Sequence, residues 1–230
     1  MRTIHVRALS LTALALSTLG WGIAAAQTSS SAILNAQEVR QLVARAEPVD
    51  HARLSAHFAA LAERYVVEAK RHTSMSTGFI GNPSRNLGSG MSAHCKQLAD
   101  LNTKSAAELR ELATYHQKLA SGAAATPPTA GARFEGGAGA SVPTDKELDA
   151  LAAKASSPAD HHALEEYFQT LAKRYTAEGK EHAAMAAAYR GTRIAQAAVH
   201  CDRLIELSRD LAKEANAAAT MHKDLAGVAR

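Results

Sequence analysis

The amino-acid sequence predicts an all-α protein, and three observations support this. The chain has 230 residues, of which 47% are hydrophobic but only 4% aromatic, and 52 are alanine. Alanine is the strongest helix former, whereas strands favour the β-branched and aromatic types that are scarce here. The apolar residues of the long segments also recur at alternating spacings of three and four, as in helices packed at a shallow angle. Ordinary charge content excludes wholesale disorder.

The first element, residues 1–26, is expected to be a signal peptide. Arg2 and Arg7 give it a positive start, a short apolar stretch follows, and Ala24–Ala26 supplies the small residues of a cleavage site. The apolar stretch is too short for a membrane span, and no second one follows. We therefore expect an exported protein, periplasmic or extracellular, with no membrane span.

The charge pattern gives no support to nucleic-acid binding. Loss of Arg2 and Arg7 lowers the formal net charge from +4 to +2, so the mature protein is only weakly basic. No stripe of lysine and arginine with interleaved aromatic residues is present. Nucleic acid is therefore not expected among the partners, and a metal ion is the partner that the rest of the sequence favours.

An internal duplication organises the remaining chain. Residues 48–75 align without gaps on residues 158–185, with 13 identities in 28 positions. Residues 94–120 align on residues 200–226, with 11 identities in 27 positions. Eight of the histidines recur at matching positions, although the residues around them differ between the copies. The chain therefore contains two copies of one structural unit.

Each copy is predicted to be a helical hairpin preceded by a short amphipathic helix. Repeat 1 covers residues 36–120, repeat 2 covers residues 144–226, and the Gly/Ala/Pro-rich residues 121–143 form a linker. The sequence Ser-Pro-Ala-Asp at residues 157–160 is typical of a helix start. Two such hairpins most simply make one up-down-up-down four-helix bundle.

The core-facing stripe of each repeat contains acids and imidazoles at matching positions. Buried groups of this kind are costly unless they are paired or ligated. If the first and third long helices are parallel, the four equivalent histidines share one layer near the hairpin turns, with glutamates one turn below and methionines above. The residues of this predicted layer are His72, His94, His182, His200, Glu68, Glu178, Met75 and Met185. Glu108 and Glu214 also face the core.

This set of side chains suits a transition-metal ion. Imidazole binds Cu, Zn and Fe, thioether favours Cu(I), and carboxylates favour harder ions. The first hypothesis is therefore an exported metal-binding protein whose Cu, Zn or Fe ion is held by the predicted layer. Non-covalent haem b with a histidine or methionine axial ligand is a further alternative. Covalent c-type haem is excluded because no Cys-x-x-Cys-His motif occurs.

The second hypothesis is a structural or stress-response helical module. In that case the polar layer only fixes the register and pairing of the helices. A core histidine is often hydrogen-bonded to a carboxylate, as Glu68 could be to His72. A third hypothesis, a small oxidase with a dinuclear centre, has less support. No nucleophile–base pair, nucleotide loop or paired-carboxylate motif stands out, so a non-catalytic role is favoured.

A weaker second histidine cluster is expected at the other bundle end, about 30 Å from the first at the helical rise. Its members are His51, His116, His161 and His222. His116 and His222 fall in last helical turns, where a cation complements the helix dipole. This placement favours a helix-end role over a second metal site.

The two cysteines, Cys95 and Cys201, each follow a histidine of the predicted layer. In the parallel arrangement they lie near the pseudo-two-fold axis, which favours a Cys95–Cys201 disulfide in an exported protein. The alternative is a pair of thiolate ligands beside the histidines. Arg64 and Arg174 recur beside the stripe, where solvation or pairing across helices is expected.

Overall fold

The computed structural model describes residues 33–82, 88–121 and 143–228. These residues form six α-helices and no strand, which confirms the predicted all-α class. The predicted signal peptide, and residues 122–142 of the predicted linker, lie outside the described residues. The helices are α1 (Ala36–Arg45), α2 (Pro48–Gly81), α3 (Gly88–Leu119), α4 (Asp145–Lys154), α5 (Pro158–Arg190) and α6 (Ala197–Val228).

None of the helices in the described ranges has the length and apolar character that crossing a membrane requires.

Capping residues set where three of the helices begin. Ser157 Oγ accepts the N–H of Asp160, and the Asp160 carboxylate accepts the N–H of Ser157, so the predicted helix start at 157–160 is confirmed. Asn35 and Thr144 cap α1 and α4 by the same reciprocal arrangement. These bonds pair first-turn N–H groups that have no partner inside the helix.

The long helices pack closely in sequential pairs. α2 is the neighbour of α3, and α5 is the neighbour of α6. Ser76 near the end of α2 contacts Ser92 near the start of α3, so this pair is antiparallel. Arg190 at the end of α5 contacts Asp202 near the start of α6, so the second pair is antiparallel too. Both pairs have the direction that the predicted hairpins require.

The first long helices of the two pairs, α2 and α5, run in opposite directions. Arg64 of α2 bonds to Glu178 of α5, while Glu68 of α2 bonds to Arg174 of α5. A higher number on α2 therefore meets a lower number on α5, which means that α2 and α5 are antiparallel.

Contacts between α3 and α6 give the same direction. His94 of α3 contacts Glu214 of α6, and Glu108 of α3 contacts His200 of α6. The long helices therefore follow the order up, down, down, up, and the predicted up-down-up-down order is wrong. The sequence left both orders open, because a linker of residues 121–143 at about 3.3 Å per residue can reach either end of the long helices.

Each short helix packs against a long helix of the other repeat. α1 contacts α5 as well as α2, and α4 contacts α2. The Asn82 side chain donates to the carbonyl oxygen of Ala152, 3.1 Å away, near the end of α4. Gly78 lies so close to α4 that a Cβ at this position would be 3.1 Å from the Cβ of Ala152. A small residue is therefore needed where α4 crosses α2.

The core combines large apolar side chains with buried imidazoles. The largest fully buried side chains include Tyr175, Tyr189, Phe58, Phe79 and Phe168. Interleaved with them are seven buried histidines, and for five of these burial lowers the pKa to about 3 or 4. These five are His57, His72, His116, His182 and His222.

We expect the protein to lose stability as the pH falls from 7 to 5. Burial lowers the pKa of His57 and His72 to about 4, and that of His116, His182 and His222 to about 3, from 6.5. Below about pH 6.5 the unfolded chain therefore takes up protons that the folded protein does not. The contribution of these neutral imidazoles to the free energy of unfolding is fully present above that pH. It declines as the pH falls toward the pKa values of the histidines in the folded protein.

Urea unfolding followed by circular dichroism between pH 7 and pH 5 measures this decline. Each histidine that stays neutral in the fold contributes a slope of about 1.4 kcal/mol per pH unit below its unfolded pKa. A free energy of unfolding that stays constant over this range would contradict the burial of neutral imidazoles.

Candidate functional site

The predicted layer of four histidines is not formed, because α2 and α5 are antiparallel. His72 of α2 stacks on Phe168 of α5, with ring centroids 6.3 Å apart. His182 lies fourteen residues further along α5, about 21 Å at the helical rise. The histidines of α3 and α6 are separated in the same way, because His94 contacts Glu214 whereas His200 contacts Glu108.

The two glutamates of the predicted layer pair with arginines. Glu68 accepts hydrogen bonds from Arg71 at 2.9 Å and from Arg174 at 3.0 Å. Burial alone would raise the pKa of Glu68, but Arg174 and Arg71 outweigh it and hold the pKa below its ordinary value. Glu178 accepts from Arg64 at 2.5 Å. Of the two outcomes expected for Arg64 and Arg174, solvation or pairing across helices, the structure shows pairing.

The second predicted cluster divides into two histidine pairs. The Nδ1 atoms of His51 and His116 share a hydrogen bond of 3.1 Å. The Nε2 atom of His116 is 2.8 Å from the Tyr189 hydroxyl, so this end of the molecule has a continuous chain of three polar groups. His116 is fully buried, and its ring also stacks on Phe58.

The equivalent pair, His161 and His222, lies at the other end of the molecule. Its Nδ1 atoms are 3.3 Å apart, and the ring of Phe79 is the neighbour that corresponds to Tyr189. Phenylalanine has no hydroxyl, and His222 Nε2 is buried without a hydrogen-bond partner. Along α2, His51 and Phe79 are about 42 Å apart. The prediction that all four histidines share one end is therefore wrong. As with the predicted layer, the reason is that α2 and α5 are antiparallel.

Cys95 and Cys201 are free, buried thiols, so the predicted disulfide is not present. Each follows a histidine that faces a different part of the α3–α6 contact, which places the two sulfurs far apart along the helices. Burial raises the pKa of each thiol to about 12. Both are therefore thiols rather than thiolates at neutral pH.

Three metal-ligating side chains converge at the contact between α3 and α6. Glu108, Glu111 and His200 each offer one ligand atom, and these atoms all lie within 4.8 Å of one another. His200 Nδ1 is 2.6 Å from Glu108 Oε1 and 3.9 Å from Glu111 Oε2. Glu108 also accepts from Arg203 at 3.2 Å. We call Glu108, Glu111 and His200 the α3–α6 triad.

The α3–α6 triad combines a half-buried pair with one exposed ligand. The side chains of His200 and Glu108 are 17% and 13% exposed, whereas that of Glu111 is 63% exposed. Glu108 and Glu111 are three residues apart on α3, which puts both carboxylates on one helix face. A shallow pocket of about 350 Å³ beside His200 and Glu111 leaves this side of the triad accessible to solvent.

The equivalent contact, in which the two repeats exchange roles, has only two of these three groups. His94 Nδ1 is 2.5 Å from Glu214 Oε1, which repeats the contact between His200 and Glu108. The position equivalent to Glu111 is Ala217, which has no ligand atom. Within the described residues, the α3–α6 contact therefore contains one three-ligand group and one otherwise matched two-ligand group.

Recurrence between the repeats cannot identify residues that are present in one repeat only. Glu111, His57 and Tyr189 have Ala217, Tyr167 and Phe79 at the equivalent positions, so a search for recurring residues passes over them. The spacing of three between Glu108 and Glu111 was the one available signal for the α3–α6 triad.

Comparison with known protein families, curated proteins and solved structures finds no match to this chain.

We expect Tyr189→Phe to destabilise the protein by about 1–3 kcal/mol, because it leaves Nε2 of His116 buried without a partner. The opposite exchange at the equivalent position, Phe79→Tyr, supplies a hydroxyl near Nε2 of His222 and is expected to stabilise by about 0.5–1.5 kcal/mol. Urea unfolding of both variants at pH 7 measures the two changes. Changes of the same sign would contradict this account.

We expect Cys95 and Cys201 to react very slowly with a thiol reagent in the native protein. With a pKa of about 12, each thiol has a thiolate fraction roughly a thousandfold below that of an exposed cysteine at pH 8. Guanidinium unfolding without a reductant should release both thiols to the reagent. Recovery of fewer than two thiols per unfolded chain would restore the disulfide hypothesis.

Proposed function

We propose that this is an exported helical-bundle protein, built from two tandem hairpin repeats, that binds one divalent transition-metal ion at the α3–α6 triad. The observation that carries the proposal is the set of three ligand atoms within 4.8 Å of one another. The signal-like residues 1–26 support export, and the two pairs of antiparallel long helices support the bundle.

The donor set of the α3–α6 triad selects the kind of ion. Two carboxylates and one imidazole suit Zn²⁺, Fe²⁺ or Cu²⁺, and the absence of a sulfur ligand from this triad disfavours Cu(I). Nδ1 of His200 must be deprotonated to bind the ion, so the hydrogen bond to Glu108 is replaced by coordination. Arg203 would then remain as a neighbour that balances the charge of Glu108.

The exposure of the α3–α6 triad favours reversible binding over a permanent structural ion. Structural zinc sites have four protein ligands and are closed to solvent. Here three ligands are present, and Glu111 is largely exposed. An ion at this place keeps open positions for water or another ligand, which suits a protein that takes up and releases metal.

A structural role is the second candidate, and one observation favours it. Glu108 and His200 already form a hydrogen-bonded pair, and Glu214 and His94 form the same pair at the equivalent contact between the repeats. Two such pairs would fix the register of α3 against α6 without any ion. The role of Glu111 separates the two candidates, because it contributes to metal binding but not to register.

The deciding experiment is a titration with Zn²⁺ and with Co²⁺, monitored by calorimetry and by the visible spectrum of bound cobalt. We expect one ion per wild-type chain. Glu111→Ala reduces the α3–α6 triad to a copy of the His94–Glu214 pair and is expected to weaken binding at least a hundredfold, about 2.7 kcal/mol. Ala217→Glu adds the missing ligand to the second repeat and is expected to raise the capacity to two ions.

Elemental analysis of the protein purified without a metal-affinity column complements the titration. Metal in the wild type and none in Glu111→Ala would support the proposal and name the ion. If wild type and Glu111→Ala bind Zn²⁺ equally, the α3–α6 triad is not the site. If neither binds it, the structural role stands, and a haem absorbance band would favour the haem alternative.

A further inference from the structure

A cavity of about 250 Å³ lies between α1, α2 and α5, away from the α3–α6 triad. Val39 of α1, Leu61 of α2 and Met185 of α5 form apolar parts of its wall. Two buried imidazoles, those of His57 and His182, also line it. The cavity therefore combines an apolar wall with a small number of polar groups, as binding sites for small molecules do.

The free ring nitrogen of His57 can act only as a hydrogen-bond donor. Its Nδ1 accepts the backbone N–H of Leu34 at 3.0 Å. Burial, with Arg64 nearby, lowers the pKa of His57 to about 4, so the ring is neutral at pH 7. A neutral imidazole that accepts at Nδ1 carries its proton on Nε2. For the same reason, Nε2 of His57 is not available as a metal ligand.

His182 supplies the complementary group. Its Nδ1 atom is buried and has no hydrogen-bond partner. Burial lowers its pKa to about 3, so this ring too is neutral and has one donor and one acceptor nitrogen. A buried polar atom without a partner is unusual in a folded protein and requires an explanation. The atom has almost no accessible surface, so a guest in the cavity pairs with it only when the His182 ring turns toward the cavity.

Of the charged groups of the wall, Arg64, Arg174 and Glu178 are compensated, whereas Glu181 is a carboxylate exposed to solvent. Glu178 accepts hydrogen bonds from Arg64 at 2.5 Å and from the Tyr65 hydroxyl at 2.6 Å. Arg174 is bound to Glu68. An anionic guest would lose its hydration without gaining an unpaired cation, and Glu181 would repel it, so an uncharged guest is favoured over an anion.

We propose that this cavity binds an uncharged, hydroxyl-bearing ring compound of the phenol class. A hydroxyl group can accept the Nε2 proton of His57 and donate to the acceptor nitrogen of His182 at the same time. An apolar cavity of about 150 Å³ holds benzene, so 250 Å³ has room for a substituted ring. Met185 and Leu61 supply the apolar contacts for that ring.

The other repeat provides an internal comparison. Tyr167 stands at the position of His57, and its ring lies 6.3 Å from that of His72, the equivalent of His182. The larger side chain of Tyr167 is itself buried, and its hydroxyl has no partner. Tyrosine at this position thus fills space that the first repeat leaves for the cavity.

The experiment uses 4-methylphenol as the probe and the full chain in the presence of a chelator, so the result is independent of the α3–α6 triad. Calorimetry should give saturable one-to-one binding. The ¹⁵N-imidazole resonances of His57 and His182 should shift on titration, while those of His72 should not. Benzoate, which has a similar size but carries a charge, should bind at least about tenfold more weakly.

His57→Tyr copies the other repeat and is expected to weaken binding of 4-methylphenol at least about tenfold, because it removes the donor and fills the cavity. Ala177→Phe, at a position that lines the cavity from α5, is expected to do the same if His57→Tyr fails to fold. Circular dichroism confirms folding of either variant. Absence of saturable binding to the wild type, or equal binding to a folded variant, would overturn the proposal.

Discussion

Two reciprocal ion pairs between α2 and α5 determine how the rest of the molecule is arranged. Arg64 binds Glu178, and Arg174 binds Glu68, so each helix contributes one cation and one anion. Long polar side chains, rather than close backbone approach, join these two helices. All four side chains are largely removed from water, and a buried charge without its partner is strongly destabilising. Only the antiparallel register satisfies both pairs.

That register decides which residues become neighbours. It places Tyr189 beside His116 at one end and Phe79 beside His222 at the other. It also separates Cys95 from Cys201, which leaves both thiols free. A parallel arrangement of the same two hairpins would have put different side chains in contact along every helix. The chemistry of the protein therefore depends on the relative direction of its two halves.

The sequence predicted the helices well and their mutual direction poorly. Composition and the three-and-four spacing predict the all-α class, and the residues 157–160 mark a helix start, because these features are set by local backbone chemistry. The direction of one hairpin against the other is set by contacts between distant residues. A duplicated sequence is compatible with either direction, and the signals that distinguish them, Arg64 and Arg174, were expected only to be solvated or paired.

The candidate site was predictable only in part. His200 was identified, since an imidazole that recurs on the core-facing stripe of both repeats is conspicuous, and Glu108 was recognised as facing the core. Glu111 and His57 were not predicted, because each occurs in one repeat only and recurrence was the signal that marked the other residues. Functional differences between two copies of a repeat arise where the copies diverge. Recurring residues report mainly what the shared fold requires.

Each short helix packs on a long helix of the other repeat, and this packing makes the two repeats one folding unit. Because α1 covers α5 and α4 covers α2, a repeat on its own would leave part of a long helix exposed. Two separate copies could complete each other only by exchanging these helices, as in a domain-swapped dimer, and their association would then depend on protein concentration. The covalent connection makes that exchange intramolecular, so the fold is preserved even when the protein is highly dilute.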